Sequence, residues 1–182
     1  MKNILLGVTG SIAAYKAVEL ANTLTKTGSS VKVIMTRSAM EFITPLTFQT
    51  ITKHKVYTEL FEPFAYEDVR HISLAQEADL LLIAPATANI IGKLAGGIAD
   101  DMLTTVAMAV TAPKIICPAM NTAMYENVIT QGNINKLEAA GYIFMEPKES
   151  MLACGDVGKG AMADIDTIIS KINEIMTDMG DY

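Results

Sequence analysis

The first 35 residues hold the pattern that most restricts the fold: a strand, a glycine turn, a helix and a second strand. The apolar run from Asn3 to Val8 predicts a buried strand, and Gly10 follows it directly. Apolar positions between residues 12 and 27 recur at helical spacing, and Gly28 is placed to end that helix. Val31 to Met35 predicts the next strand. Because a helix joins the two strands, we expect them to pair in parallel.

Two later apolar runs, each followed by a proline and an asparagine, predict further buried strands. Residues 79–84 predict a central strand covered on both faces, and residues 114–117 predict another. We expect Pro85 and Pro118 to end these strands and to place small and amide side chains at one sheet edge. Met151 to Met162 is expected to be a mobile glycine loop. Helices are expected at residues 39–42, 46–52, 70–78, 90–94, 102–110, 127–140 and 165–176, with a short strand at 142–145.

These elements predict an α/β fold: a single-domain doubly wound parallel sheet, Rossmann-like or flavodoxin-like, with helices on both faces. A chain of 182 residues is long enough for one such core, so we expect one domain over residues 1–182. The hydrophobic fraction is 51%, only 19% of residues are charged, and the chain has 12 Met and no Trp. Such a composition indicates apolar surface buried between subunits, and we therefore expect a homo-oligomer.

The charge and the cysteines exclude several classes of function. A net charge of -6 without any Lys/Arg cluster argues against a nucleic-acid partner, so the ligand is expected to be small. Cys117 and Cys154 cannot form a disulfide framework and lack the close Cys/His neighbours of a zinc site, which fits a reducing cytoplasm and no metal. No run is long and apolar enough to predict a membrane partner.

The turn after the first strand has the features of an anion site. Gly10 permits a tight turn, and Ser11 is expected to cap the helix whose start offers free amides. The phosphate loop of nucleoside triphosphatases is absent, and the three-glycine dinucleotide pattern is incomplete. The second strand ends in Thr36, Arg37 and Ser38, where an NAD site would have an acidic residue. We expect a phosphorylated mononucleotide such as FMN, with NADP or an empty turn as alternatives.

Polar side chains after the later strands have two interpretations each. Thr87 and Asn89 could reach the ribityl chain or ring edge of a flavin, or could only cap the next helix. Asn121 could hold a substrate at the strand end, or could likewise be a helix cap. The residues alone leave both alternatives open.

Three further side chains are candidates for chemistry. His71 could act as a general acid or base near neutral pH, although a lone histidine is more often structural or exposed. Cys154, within a glycine-rich segment, could transfer a proton over a bound substrate, and Lys159 could meet a substrate carboxylate or phosphate. The alternative for this segment is a surface loop with an incidental cysteine.

Five short motifs occur in the order seen in the flavin-dependent cysteine decarboxylases. They are Gly10-Ser11-Ile12-Ala13, His71-Ile72-Ser73-Leu74, Ala84-Pro85-Ala86-Thr87-Ala88-Asn89, Pro118-Ala119-Met120-Asn121-Thr122-Ala123-Met124-Tyr125 and Ala153-Cys154-Gly155-Asp156. Over roughly residues 2 to 175 the chain resembles the phosphopantothenoylcysteine decarboxylases of that family, with Tyr125 where tryptophan is usual. Bifunctional bacterial members carry a ligase domain after this region, so a separate phosphopantothenate-cysteine ligase is expected.

The resemblance implies a step of coenzyme A biosynthesis. FMN would oxidise the thiol of 4'-phospho-N-pantothenoylcysteine to a thioaldehyde, carbon dioxide would leave, and the resulting enethiolate would be reduced to 4'-phosphopantetheine. The family also implies a cytoplasmic homo-oligomer, a trimer or a dodecamer of trimers, with flavin sites between subunits.

The resemblance also assigns residues. His71 and Cys154 would be catalytic, and Asn121 would bind the substrate carboxylate. Ala153, Lys159 and Met162 would complete the substrate site. The flavin site would consist of Gly10, Ser11, Ile12, Thr36, Arg37, Ser38, Thr87, Ala88, Asn89, Ile90 and Ala119.

Three other functions are considered. A flavin prenyltransferase would bind FMN in a similar site but lacks the segment around Cys154. A non-enzymatic FMN-binding regulatory subunit would not need His71, Asn121 and Cys154 together. An NADP-dependent reductase would use Arg37 and would not be yellow.

Overall fold

The computed structural model describes residues 2–61, 70–151 and 157–178, and within them six parallel strands form one sheet. The strand order is β3-β2-β1-β4-β5-β6, and its direction of growth reverses between β1 and β4. The predicted doubly wound α/β class is therefore confirmed, with the order typical of dinucleotide-binding folds rather than of flavodoxins. The strands are β1 Asn3–Val8, β2 Ser30–Met35, β3 Val56–Tyr57, β4 Leu80–Ala86, β5 Lys114–Pro118 and β6 Tyr142–Phe144.

Helices cover both faces of this sheet. They are α1 Ala14–Lys26, a 3-10 turn at Ala39–Glu41, α2 Pro45–Thr52, α3 Arg70–Glu77, α4 Ala88–Gly96, α5 Met102–Ala109, α6 Thr122–Glu126, α7 Val128–Ala139 and α8 Ile165–Asp178. Alternate side chains of β1 enter the two halves of the core: Leu6 packs with α1, α2 and α8, and Leu5 with α3, α4, α5 and α7. All seven residues of β4 are buried, as expected for a central strand.

Pro85 does not end its strand, and that prediction is wrong. β4 continues through Ala86, which pairs with Pro118 on β5, and the Ala84–Pro85 peptide bond is cis. The register of the β4–β5 pair shifts between Ile83 and Ala86, which accommodates a proline that has no N–H to donate. Pro118 does end β5, as predicted.

In its described part, the segment predicted to be a mobile glycine loop forms one strand of a two-stranded ribbon, so the loop prediction is wrong there. β7 Lys148–Met151 pairs in antiparallel fashion with β8 Val157–Ala161. Residues 152–156, which include Ala153 and Cys154, lie outside the described residues.

The described ranges contain no helix long and apolar enough to cross a membrane. In the same ranges no group of three or more His, Cys, Asp or Glu could hold a metal ion.

Candidate active site

A cavity of about 1360 Å³ lies at the carboxyl ends of β1, β2, β4 and β5. It spans the point where the strand order reverses, which is the usual ligand position in such sheets. Its volume exceeds the range of roughly 300–1,000 Å³ common for small-molecule sites, so it has room for a cofactor and a substrate together. Among its lining residues are Gly10, Ser11, Ile12, Thr36, Arg37, Ser38, Thr87, Ala88, Asn89, Ile90, Ala119, Asn121 and Met162.

Ser11 lies in front of α1 but does not cap it, contrary to our expectation. The helix begins at Ala14 with Ala13 in the N-cap position and no side-chain cap. Ser11 Oγ instead accepts a hydrogen bond from the Ala13 backbone N–H at 3.3 Å, and the Ser11 N–H donates to the Thr9 carbonyl at 2.9 Å. The chain thus makes an extra turn before the helix starts. Within the described residues the Ser11 hydroxyl accepts this one hydrogen bond, and its O–H is of the kind that can donate to a ligand.

The end of β2 packs directly against the turn after β1. A Cβ on Gly10 would lie 2.5 Å from Ser38 Cβ and 3.1 Å from the Ser38 carbonyl, so only glycine fits at position 10. This contact brings Ser38, with Thr36 and Arg37, to the same part of the cavity as Ser11. Hydroxyls and a guanidinium are suitable donors for a phosphate group.

Thr9 connects the ends of β1 and β4 and was missed by the sequence analysis. Its side chain is 2% exposed, donates from Oγ1 to the Pro85 carbonyl at 2.7 Å and accepts from the Thr87 N–H at 3.1 Å. The hydroxyl thus satisfies two backbone groups at the end of β4. In the sequence, the one local indication of this role is the position of Thr9 directly before Gly10.

Thr87 and Asn121 cap helices and also line the cavity, so for each of them a capping role is compatible with a position at a ligand site. Thr87 Oγ1 accepts the Ile90 N–H at 3.3 Å at the start of α4. Asn121 Oδ1 accepts the Ala123 N–H at 2.9 Å at the start of α6. Both side chains are therefore held in fixed positions at the cavity wall.

The β7–β8 ribbon forms another part of the wall. The Met120 N–H donates to the Gly160 carbonyl at 2.9 Å, which joins β8 to the turn at residues 120–122, the Asn121 turn. Gly160, Ala161 and Met162 all line the cavity. The ribbon thus forms the cavity wall next to Asn121.

Two predicted site residues in the described ranges do not line the cavity. His71 lies in the first turn of α3 and is half-buried. Lys159 forms an ion pair with Glu146, and its Nζ lies 5.7 Å from the centre of the Tyr125 ring. Their functional roles stay predictions.

Lys93 is a cation on the cavity wall that two carboxylates neutralise. Its Nζ donates to the Asp100 carboxylate at 2.7 and 2.9 Å and lies 3.6 Å from Asp101 Oδ2. The hydrogen bond to Asp100 raises the pKa of Lys93, and the same bond lowers the pKa of Asp100. Asp101 also caps α5 by accepting the Thr104 N–H at 2.8 Å. This wall is therefore a poorer phosphate site than the Thr36–Ser38 segment.

The lining chemistry fits FMN. Hydroxyl and guanidinium donors at the ends of β1 and β2 suit its phosphate, and Thr87 and Asn89 offer polar groups to its chain or ring edge. Apolar side chains suit a flat ring system; they include Ile12, Met35, Met40, Met102 and Leu103.

Sequence relatives agree with this chemistry. The chain is 54% identical over 175 residues to the probable phosphopantothenoylcysteine decarboxylase of Streptococcus mutans, covering 95% of this chain and 98% of that protein. It is 52% identical over 168 residues to the coenzyme A biosynthesis bifunctional protein CoaBC of Bacillus subtilis, covering 92% of this chain but only 41% of that longer protein. The resemblance inferred from the five motifs is confirmed.

Solved structures have the same fold. A mutant PPC decarboxylase complexed with pantothenoylaminoethenethiol matches with a TM-score of 0.85 and 32% identity, covering 97% of this chain and 98% of that one. The FMN-dependent cysteine decarboxylase SpaF matches with a TM-score of 0.83 and 33% identity over 94% of each chain. The FMN-binding protein AtHal3 matches with a TM-score of 0.83 and 33% identity over 97% of each. A model of the Flavoprotein family matches residues 1–177, and the chain therefore belongs to the Flavoprotein family.

Proposed function

We propose that this protein is an FMN-dependent phosphopantothenoylcysteine decarboxylase, which converts 4'-phospho-N-pantothenoylcysteine to 4'-phosphopantetheine in coenzyme A biosynthesis. The observation that carries the proposal is that one cavity holds both the phosphate donors near Ser38 and the Asn121 turn. A phosphorylated cofactor and a carboxylate substrate can therefore lie side by side. The relatives from S. mutans and B. subtilis support the substrate and the pathway.

The reaction requires a flavin for a chemical reason. Loss of carbon dioxide from an ordinary amino acid carboxylate leaves a carbanion without stabilisation, whereas an adjacent thiocarbonyl delocalises that charge. The bound flavin supplies the reversible two-electron oxidation of the substrate thiol that creates such a group. The protein's part is to hold donors at the ends of β1 and β2, including Ser11, Thr36 and Ser38, against the phosphate.

Asn121 is suited to the substrate carboxylate. Its Oδ1 accepts the Ala123 N–H, which holds the side chain at the cavity wall, and an amide carries N–H donors of the kind that bind a carboxylate. A neutral amide donor binds a carboxylate without trapping it as a salt bridge would, so carbon dioxide can still leave. We propose this role for Asn121.

Proton transfer is assigned to His71 and Cys154. We propose that His71 acts as acid or base near the flavin and that Cys154 protonates the enethiolate carbon as the electrons return. Cys154 and Ala153 lie outside the described residues. Among the proposed substrate contacts, Lys159 has the least support, because its ammonium group is paired with Glu146.

We also propose a homo-oligomer, a trimer or a dodecamer of trimers, with flavin sites between subunits. Ile12 and Tyr15 support this arrangement, because each is 58% exposed in the single chain and lines the cavity, where a second subunit could cover it. Sedimentation equilibrium at micromolar concentration should give a trimer or a multiple of it, and a monomer would contradict the proposal. We expect the enzyme in the cytoplasm, where a phosphopantothenate-cysteine ligase activity would supply its substrate.

The proposed function is tested by the mass of the product. Purified protein should be yellow with a flavin absorbance spectrum, and incubation with 4'-phospho-N-pantothenoylcysteine should yield 4'-phosphopantetheine by mass spectrometry. A parallel reaction with dimethylallyl phosphate and reduced FMN tests the prenyltransferase alternative. Flavin-loaded protein that leaves phosphopantothenoylcysteine unchanged would refute the proposed function, and a colourless protein that binds NADP would favour the reductase.

A further inference from the structure

The backbone of strand β8 lies in contact with the backbone of the Asn121 turn. A Cβ on Gly160 would lie 2.2 Å from the Met120 carbonyl oxygen and 3.4 Å from the Asn121 carbonyl carbon. Because the nearest obstacle is backbone, no side-chain rotation can relieve that overlap. The Met120 N–H also donates to the Gly160 carbonyl at 2.9 Å, so the two segments are held at this spacing.

Gly158 makes a second contact of the same kind. A Cβ there would lie 2.5 Å from Thr122 Oγ1 and 3.1 Å from Thr122 Cγ2. Thr122 Oγ1 is buried and has no hydrogen-bond partner in the described part of the chain, so it is enclosed beneath this strand. Residues 158 and 160 project from the same face of β8, and they touch the two neighbours of Asn121, Met120 and Thr122.

Backbone conformation does not explain these two glycines. Within the described ranges, the glycines with positive φ are Gly28, Gly97 and Gly141. Gly158 and Gly160 therefore have backbone angles that other residues adopt, and the close contact is what requires glycine there.

We propose that Gly158 and Gly160 are positioning residues that set the Asn121 amide at the substrate carboxylate. β8 presents a side-chain-free surface on which the turn rests, with one glycine on each side of Asn121. Any side chain at either position lifts the ribbon from the turn and changes where Asn121 meets the cavity. This inference rests on the proposed function, because it concerns how the same substrate is recognised.

The test compares Gly160→Ala with Gly132→Ala. Gly132 lies in α7, where an added Cβ meets nothing within 4 Å, so the same substitution there is a matched control. We expect Gly160→Ala to raise KM for phosphopantothenoylcysteine by about 10- to 150-fold, the range for losing a hydrogen bond to a charged group. FMN affinity should stay within about twofold, since the phosphate donors lie at the ends of β1 and β2. Pantothenoylaminoethenethiol, which has no carboxylate, should lose less affinity than the substrate does.

A rescue experiment covers the case in which Gly160→Ala does not fold. Gly158→Ala should also raise KM, and adding Thr122→Ala should restore KM, because the second change removes the Oγ1 and Cγ2 atoms that the new methyl group overlaps. A folded Gly160→Ala variant with unchanged KM would overturn the inference. So would equal losses of FMN and substrate affinity, or a double variant no better than Gly158→Ala alone.

The same experiment separates the two proposals. If the wild-type protein and Gly132→Ala both leave phosphopantothenoylcysteine unchanged, the proposed function fails. If both turn it over and Gly160→Ala does so equally well, only the positioning role fails.

Discussion

Replacing Thr9 by valine should destabilise the protein although valine is nearly the same size and more apolar. The Thr9 hydroxyl donates to the Pro85 carbonyl at 2.7 Å and accepts the Thr87 N–H at 3.1 Å, and its side chain is only 2% exposed. Thr9→Val removes both bonds and takes the Thr9 partner from a buried carbonyl and a partly buried N–H. Each such group costs about 1–3 kcal/mol, and the added methyl group returns about 1 kcal/mol of burial.

The expected net loss in the free energy of unfolding is therefore about 1–5 kcal/mol, or about 2–20 °C in Tm for a chain of this size. Thr9→Ser is the matched control, because it keeps the hydroxyl and loses only a methyl group, which costs about 1 kcal/mol. Urea denaturation followed by circular dichroism measures both variants against the wild type. Burial alone predicts that valine stabilises the protein, so a Thr9→Val protein at least as stable as the wild type would refute the reasoning.

Two substitutions in the site and one thiol-labelling experiment on the core give further tests. Asn121→Asp keeps a good cap for α6 but presents a negative charge to the substrate carboxylate. We therefore expect kcat/KM to fall by at least about 10-fold with little change in Tm. Unchanged kinetics would reject the role of Asn121. Gly10→Ala forces Ser38 away from the turn after β1, because the new Cβ would overlap Ser38. The Kd for FMN in a fluorescence titration should therefore rise by at least about 10-fold. A Kd equal to that of Gly132→Ala would contradict the assignment of the phosphate to this turn. Cys117 is fully buried, which raises the pKa of its thiol well above the usual range. In a Cys154→Ser variant, Ellman's reagent at pH 8 should therefore label no thiol until the protein is unfolded. Labelling of the native protein would show that Cys117 is accessible.

The roles of Cys154 and His71 are tested by single variants. Cys154→Ser should keep FMN and release carbon dioxide but accumulate the oxidised enethiol product, because the proton donor for the returning reduction is missing. His71→Asn should give a yellow, inactive protein. Full formation of 4'-phosphopantetheine by either variant would remove that residue from the mechanism.

Patterns within one element predicted most of the fold. The apolar run of β4 and the helical spacing of α1 depend on neighbours a few residues apart; α1 formed where expected, and β4 did so except that it continues through Ala86. Gly28 was correctly predicted to end α1, and it has a positive φ.

Contacts between distant segments produced the errors. Thr9 was missed because its partner Pro85 is 76 residues away, and nothing near Thr9 reveals that bond. Gly158 and Gly160 were interpreted as signs of mobility, whereas the structure uses them for contact with the Asn121 turn. A glycine needed for close approach looks the same in a sequence as one needed for a turn, so only the packing distinguishes them.

The most direct test of the central claim is whether decarboxylation occurs without net oxidation. Wild-type protein with its bound flavin, kept free of oxygen and other electron acceptors, is given excess phosphopantothenoylcysteine while carbon dioxide, product mass and the flavin spectrum are followed. We predict that carbon dioxide and 4'-phosphopantetheine form in equal amounts over many turnovers, and that the flavin spectrum at the end is that of the oxidised cofactor. A reaction that stops after one turnover with the flavin reduced, or that needs an added oxidant, would contradict the proposed function.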